Sequence, residues 1–151
     1  MSFHVYGIGT SSPPSSVSQE HAVAMAQGYG CTSNEQQRQL KALYRLTRVK
    51  TRHSIVLDSD SRDGIPSQSF FPAMQNDADR GPTTTERMAR YERDAPPLAA
   101  RAARAALADA GLDAGAVTHV VTVSCTGFAA PNFDVGLIRD LGLRWTVART
   151  H

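Results

Sequence analysis

The sequence predicts an α/β fold, and three neighbouring segments carry the prediction. Residues 117–124 (VTHVVTVS) are β-branched and nearly uniformly apolar, which is typical of a parallel strand buried on both faces. An alanine-rich helical pattern ends at Gly111, just before this strand. A further helix is predicted to open at Pro131 and to end at Gly142. Helix, short turn, buried strand and helix in succession indicate the layered α/β class.

The N-terminal elements are predicted from turn and capping residues. Residues 3–9 (FHVYGIG) are predicted to form a strand, and its two glycines are expected to ease a tight strand exit. The third glycine of a dinucleotide-binding motif is missing, since Ser12 stands in its place. Ser18 is predicted to begin a helix that runs to residue 27, and Ser33 with Gln36 matches a capping box for a second helix.

The remaining elements follow from turn-rich stretches. Residues 51–57 suit a strand, and residues 58–80 are typical of a long surface loop. A capping box at residues 83–86 opens a helix that is predicted to end before Pro96, with a second helix over residues 97–110. Residues 145–149 are predicted to begin another strand.

Composition narrows the classes of function. The chain has 151 residues, of which 41% are hydrophobic and 20% charged, as in a globular domain. A net charge of +2 is too small for a dedicated nucleic-acid or membrane binder. No apolar run is long enough to cross a bilayer, and no signal peptide is recognised. We therefore expect a cytoplasmic protein with neither nucleic acid nor membrane as partner.

No metal site is expected. Asp58 and Asp60 resemble the start of a calcium loop, but the fifth, glycine and twelfth positions of that motif do not match. The two cysteines, Cys31 and Cys125, cannot form a disulfide scaffold or a four-ligand zinc site alone.

The most basic segment lies between residues 38 and 52 and contains no acidic residue. Its cations are Arg38, Lys41, Arg45, Arg48, Lys50 and Arg52. A solvated face explains the run, and a docking surface for phosphate groups explains it about equally well. Both interpretations stay open on the residues alone.

Cys125 is the candidate nucleophile, because it lies at the carboxyl end of the predicted strand, where open α/β sheets bind ligands. A nucleophilic thiol needs a lowered pKa, usually from a helix N-terminus or a paired imidazole. His119 lies six residues back inside the strand. We therefore expect Cys125 to be a small buried thiol and His119 to be a packed core histidine.

Residues 118–128 (THVVTVSCTGF), with Pro131 and residues 141–143 (LGL), resemble the N-terminal half of type III polyketide synthases, the chalcone/stilbene synthase-like enzymes. Residues 43–53 (LYRLTRVKTRH) and 82–88 (PTTTERM) resemble the bacterial branch. The resemblance covers nearly the whole chain. It implies an α/β, thiolase-like (αβαβα) fold in which residues 1–151 are an incomplete N-terminal half, lacking the end of the first half and the whole second half.

The resemblance implies an acyltransferase that condenses an acyl-CoA starter with malonyl-CoA by decarboxylative Claisen condensation. The family works as a homodimer on CoA thioesters and needs no cofactor. Its nucleophilic Cys and its catalytic His and Asn lie beyond His151, so the chain alone is expected to be inactive. A fragment of a ketosynthase III or HMG-CoA synthase-like enzyme, or a non-catalytic partner of a full-length synthase, are the alternatives.

The resemblance also implies site residues. The substrate cavity falls on Cys125, Thr126, Phe128 and Ala130. Cys125 would shape the polyketide, whereas Ala130 is too short to make the contact that the family's Met makes across the dimer. The family's CoA-binding basic positions fall on Gln39, Ala42 and Leu46, which do not match. The neighbouring Lys41, Arg45 and Arg48 are the expected substitutes.

Overall fold

The computed structural model describes residues 2–58 and 66–151, which form two compact units. One unit is Ser12–Thr83, and the other is Thr84–His151 together with the N-terminal segment up to Ser11. The central residues of the calcium-like motif, including Asp60, lie outside the described residues. Within the described ranges no helix is long and apolar enough to span a membrane.

The unit Ser12–Thr83 places two helices beside a two-stranded ribbon. Strand β1 (Ser16–Ser18) pairs antiparallel with β2 (Thr51–His53), and helices α1 (Gln19–Gly30) and α2 (Asn34–Leu46) connect them. The small core of this unit consists of Val17, Ala22 and Leu57, with Met25 and Tyr44 packed against it.

Side-chain caps begin both helices as predicted. The Ser18 hydroxyl accepts a hydrogen bond from the His21 amide at 3.2 Å. The Ser33 hydroxyl accepts from the Gln36 amide at 3.2 Å, and the Gln36 side chain accepts from the Ser33 amide at 3.1 Å, which confirms the capping box. The first helix runs three residues further than predicted, to Gly30. Glycine lowers helix stability by only about 1 kcal/mol and need not end a helix.

Strand β2 is shorter than the predicted strand 51–57. It ends at His53, and residues 55–57 form a turn and bend that carries Leu57 into the core. The β-branched residues Ile55 and Val56 therefore lie in a turn, because burial of Leu57 outweighs their strand propensity.

In the other unit, helix α3 (Thr84–Ala110) runs unbroken through Pro96 and Pro97. The predicted helix end before Pro96 is therefore wrong. Each proline removes one backbone donor, but its fixed φ of about −65° is compatible with a helix. Packing along the remaining length compensates, with Ala100 buried to 3% exposure just after the prolines.

Strands β3 (His119–Val121) and β4 (Ala148–Thr150) pair in parallel, and helix α4 (Phe133–Leu141) connects them. This confirms the predicted order of strand, helix and strand. Ile138, Leu143 and Val147 form the core beneath them. Gly142 ends α4 in the left-handed region, with φ of 66°, as the sequence predicts.

Two expectations about this unit are wrong. Val121 and Val123 are 67% and 87% exposed, so the strand is not buried on both faces within this chain. His119 is exposed rather than packed in the core, and its Nδ1 lies 3.0 Å from the Thr118 hydroxyl. The apolar pattern shows that the strand is suited to packing on both faces. Burial also requires other elements to cover those faces.

The N-terminal segment is extended but belongs to no strand. Gly7 and Gly9 lie against the backbone of α3, where a Cβ atom on Gly9 would come 2.1 Å from the Ala102 carbonyl oxygen. The two glycines therefore permit close approach to a helix instead of easing a strand exit. The Ile8 amide donates to the Asp109 carboxylate at 2.9 Å, which holds the segment there.

Candidate functional site

A groove of about 780 Å³ lies between α1 and α2. Its wall includes the small apolar side chains Val23, Ala24 and Ala42. Its charged lining residues are Glu20 on α1 and Arg38, Lys41 and Arg45 on α2. The groove thus combines an apolar wall with an excess of positive charge.

The three cations share one face of α2 because of their spacing. Lys41 follows Arg38 by three residues and Arg45 follows Lys41 by four, which is the repeat of an α-helix. Like charges at this spacing repel one another modestly. An anion in the groove would relieve that repulsion and receive several charge-assisted hydrogen bonds.

Glutamine side chains hold the two helices beside each other. The Gln19 side-chain amide donates to the Tyr44 carbonyl oxygen at 2.7 Å, and the Gln27 amide donates to the Gln37 carbonyl oxygen at 3.0 Å. Both bonds join α1 to α2 from opposite ends of the groove. The two walls of the groove are therefore linked at both of its ends.

Two of the three predicted phosphate-binding residues line the groove. Lys41 and Arg45 are among its lining residues, whereas Arg48 lies beyond the end of α2, with φ of 55°. Arg38 also lines the groove. It is one of the cations of the basic segment, but it was not among the substitutes expected from the family resemblance.

The four predicted cavity residues lie together in the turn after β3. Cys125, Thr126, Phe128 and Ala130 are all exposed, so the expected burial of the Cys125 thiol is wrong. The Gly127 amide donates to the Ser124 hydroxyl at 3.1 Å. The Phe128 amide lies 3.4 Å from the Met88 sulfur, which ties the turn to α3.

A polar cluster at the carboxyl ends of β3 and β4 was not predicted from the sequence. The Thr122 hydroxyl and the Asn132 amide nitrogen lie 2.8 Å and 2.5 Å from Nδ1 of His151. The Asn132 side-chain oxygen also caps α4 by accepting from the Phe133 amide at 2.8 Å. These residues lie up to 29 positions apart, so only the parallel strand pairing brings them together.

A separate ion pair also links α4 to β4, since the carboxylate of buried Asp134 lies 3.2 Å from the Arg149 guanidinium. As for metal binding, no group of three or more His, Cys, Asp or Glu side chains is close enough to hold an ion in the ranges 2–58 and 66–151.

Comparison with known proteins gives a match to one protein family. The family described as chalcone and stilbene synthases, N-terminal domain, matches residues 2–151. The probable polyketide synthase 1 of Dictyostelium discoideum is 29% identical over 96% of this chain and 4% of its own length. The acylalkylpyrone synthase csyB of Aspergillus oryzae is 29% identical over 98% of this chain and 34% of its own length.

A solved structure agrees with the sequence comparisons. The polyketide synthase PKS-I of the brown alga Ectocarpus siliculosus superposes with a TM-score of 0.76 and 29% identity, covering 97% of this chain and 38% of that one. The chain thus spans little more than a third of the length of these relatives, and far less of the first.

Proposed function

The chain belongs to the chalcone and stilbene synthase family through its N-terminal domain, and from this membership we propose that it is the CoA-binding part of a type III polyketide synthase. Its fold is the thiolase-like fold of the type III polyketide synthases that it resembles. The complete synthase would transfer an acyl group from an acyl-CoA starter and extend it with malonyl-CoA by decarboxylative Claisen condensation. We propose that it acts as a cytoplasmic homodimer.

The single observation that carries the CoA proposal is the basic groove between α1 and α2. Arg38, Lys41 and Arg45 offer three cationic side chains along one wall. Coenzyme A bears a diphosphate and a 3′-phosphate, which pair strongly with guanidinium and ammonium groups. The apolar wall of Val23 and Ala24 suits the uncharged pantetheine arm. The groove therefore matches both ends of this ligand.

The proposal is tested by titrating CoA into the 151-residue chain. We expect CoA to bind, pantetheine without phosphates to bind at least about tenfold more weakly, and affinity to fall as salt is raised. Lys41→Gln and Arg45→Gln should each weaken CoA binding. Lys50→Gln removes the same charge outside the groove and should leave it unchanged. Equal losses in all three variants would mean that net charge, not the groove, attracts CoA.

The chain alone is proposed to be catalytically inactive. We propose that the family's nucleophilic Cys, His and Asn have no counterpart among these 151 residues, and that Cys125 forms part of the wall of the substrate cavity. Incubation with an acyl-CoA and labelled malonyl-CoA should therefore release no pyrone or resorcinol. Product that disappears in Cys125→Ala would overturn the assignment of Cys125 to the wall.

A further inference from the structure

Two neighbouring cavities, of about 240 and 290 Å³, lie beneath α1 in the unit Ser12–Thr83. They share Met25, Tyr29 and Gln68 as lining residues, so the two spaces adjoin. Neither is part of the basic groove, although the Tyr44 side of the first cavity backs onto it. Each cavity is smaller than the usual range of about 300–1,000 Å³ for ligand pockets, but the two adjoining spaces together fall within it.

The first cavity presents one fixed cationic group. Arg52 lines it, and the Arg52 guanidinium lies 4.5 Å above the centre of the Tyr44 ring. Its Nε donates to the Gln19 side-chain oxygen at 2.7 Å. A guanidinium has four further N–H groups on its terminal nitrogens, in the fork geometry that matches a carboxylate. Stacking and the Nε bond together orient this fork.

The other polar groups of the first cavity favour an acceptor ligand. Burial raises the pKa of the Tyr29 hydroxyl, and Tyr44 adds to the rise against the opposing effect of Arg52, so Tyr29 remains a neutral donor. His53 Nδ1 lies 2.9 Å from the Pro13 carbonyl oxygen, to which it can only donate. Gln68 uses both ends of its amide on the backbone of Phe71, at 2.8 and 2.7 Å.

The second cavity offers an aromatic wall. The Tyr29 and Phe71 rings stack with centroids 5.5 Å apart and planes inclined by 26°. Met25 and Pro72 also line this space. Aromatic faces and a methionine thioether pack favourably against another aromatic ring. Tyr29 belongs to both cavities, so the apolar wall leads directly to the cationic end.

We propose that these adjoining cavities form a binding site for a small aryl carboxylate, with Arg52 holding the carboxylate and the Tyr29–Phe71 wall packing against the ring. The site is separate from the groove assigned to CoA and does not depend on that assignment. Its occupant is a single-ring acid, because one carboxylate and one ring match the cationic end and the aromatic wall.

Benzoate is the probe, titrated into the 151-residue chain and followed by NMR. We expect benzoate to shift the resonances of Tyr29, Tyr44 and Phe71. Benzyl alcohol, which lacks the charge, and acetate, which lacks the ring, should each bind at least about tenfold more weakly. Shifts at Arg38 and Lys41 in place of the tyrosines would locate benzoate in the basic groove and overturn the proposal.

Variants separate the carboxylate contact from general charge. Arg52→Gln should weaken benzoate binding at least about tenfold, whereas Lys50→Gln, two residues away, should not change it. Arg52→Lys keeps the charge but loses the fork geometry, so we expect a smaller loss of benzoate affinity than for Arg52→Gln. The lysine variant also tests the contact if Arg52→Gln unfolds the unit. Phe71→Leu should weaken benzoate more than acetate. Equal binding of benzoate and benzyl alcohol by the unmodified chain would refute the site without any variant.

Discussion

Gly127 lies directly against the Tyr91 ring, and the turn that carries Cys125 depends on that contact. A Cβ atom at position 127 would lie 2.1 Å from Cδ2 of Tyr91, far inside van der Waals contact. The Tyr91 ring is in turn packed edge-on against Phe133, with centroids 6.1 Å apart. Because Phe133 restricts the ring, a methyl group at position 127 has to displace the turn.

We expect Gly127→Ala to lower the free energy of unfolding by about 1–3 kcal/mol, the usual cost of overpacking. Gly136→Ala is the matched control, because nothing lies within 4 Å of a Cβ there and the residue is inside α4. That change should stabilise the chain by about 0.5–1 kcal/mol. Urea unfolding measures both. A Gly127→Ala chain as stable as the unmodified one would show that the Tyr91 ring moves freely.

The Asp94 carboxylate forms ion pairs with two neighbouring arginines on α3. Arg93 binds it through two nitrogens at 2.9 Å each, and Nε of Arg90 lies 2.7 Å away. The hydrogen bonds from Arg93, with the positive charges of both arginines, hold the pKa of Asp94 below its usual 3.8. Arg93 is 63% exposed, so solvent screens this interaction and keeps its contribution to stability small.

The pH dependence of this contribution follows from the direction of the shift. A carboxyl whose pKa is lower in the folded state stabilises the fold above its unfolded pKa and loses that effect as pH falls through the folded value. Asp94→Asn should therefore destabilise the chain by up to about 1 kcal/mol at pH 7 and progressively less below pH 3.8. Thermal unfolding at several pH values measures this. A difference that grows on acidification has the wrong sign for this mechanism.

At the scale of elements, α2 presents the basic face, and its first turn depends on the capping box. Ser33→Ala removes one hydroxyl acceptor from the helix start and should cost about 1 kcal/mol of stability. Ser33→Thr keeps the acceptor and should recover most of it. Helix content and urea unfolding measure the effect. If alanine and threonine behave alike, the side chain is not the cap.

Helix α3 shows where local rules fail at the element scale. Pro96 and Pro97 predict a break, yet the helix continues through both. The prolines remove two backbone hydrogen bonds, and this cost is confined to the turns around them. The later turns gain packing that offsets it, because Ala100 is buried there and Gly7 and Gly9 lie against the helix backbone. The local sequence around the prolines contains no information about that packing.

At the scale of the molecule, the unit that contains α3 and α4 exposes much apolar surface. Its exposed large side chains are Phe3, Val5, Tyr6, Ile8, Leu112, Val121, Val123, Phe128 and Trp145. Apolar side chains on and beside a short strand pair favour association with further chains. We therefore expect the isolated chain to self-associate with increasing concentration and to bind a hydrophobic dye.

The double variant Val123→Thr, Trp145→Gln should reduce this association, because it replaces two residues that are 87% and 76% exposed. Ile138→Thr, at a position only 4% exposed, should increase dye binding by opening the core. Sedimentation velocity and dye fluorescence measure both. A single monodisperse dimer at all concentrations would support the alternative of a non-catalytic protein that pairs with a synthase.

Candidate site residues could be predicted from the sequence where they lie close together in the chain or beside a recognisable element. Lys41 and Arg45 were identified from the basic segment, and Cys125 from its place after a strand; the structure locates the first two in a groove and the third in an exposed turn. Arg48 follows them in sequence, but α2 ends before it. No sequence pattern identified Thr122, Asn132 and His151, because they are far apart in the chain. Only the parallel pairing of β3 and β4 brings the three side chains together.

The sequence by itself determined the class of fold, the family, the capping of α1 and α2 and the end of α4 at Gly142. The caps and the helix end depend on residues that are neighbours in the chain, and the family follows from comparing the sequence with those of related proteins. Only the tertiary structure decided that α3 is unbroken, that Val123 is exposed, and that Arg52 faces an aromatic cavity. Burial and cavities depend on contacts between segments that are far apart in the chain, and no local sequence pattern specifies those contacts.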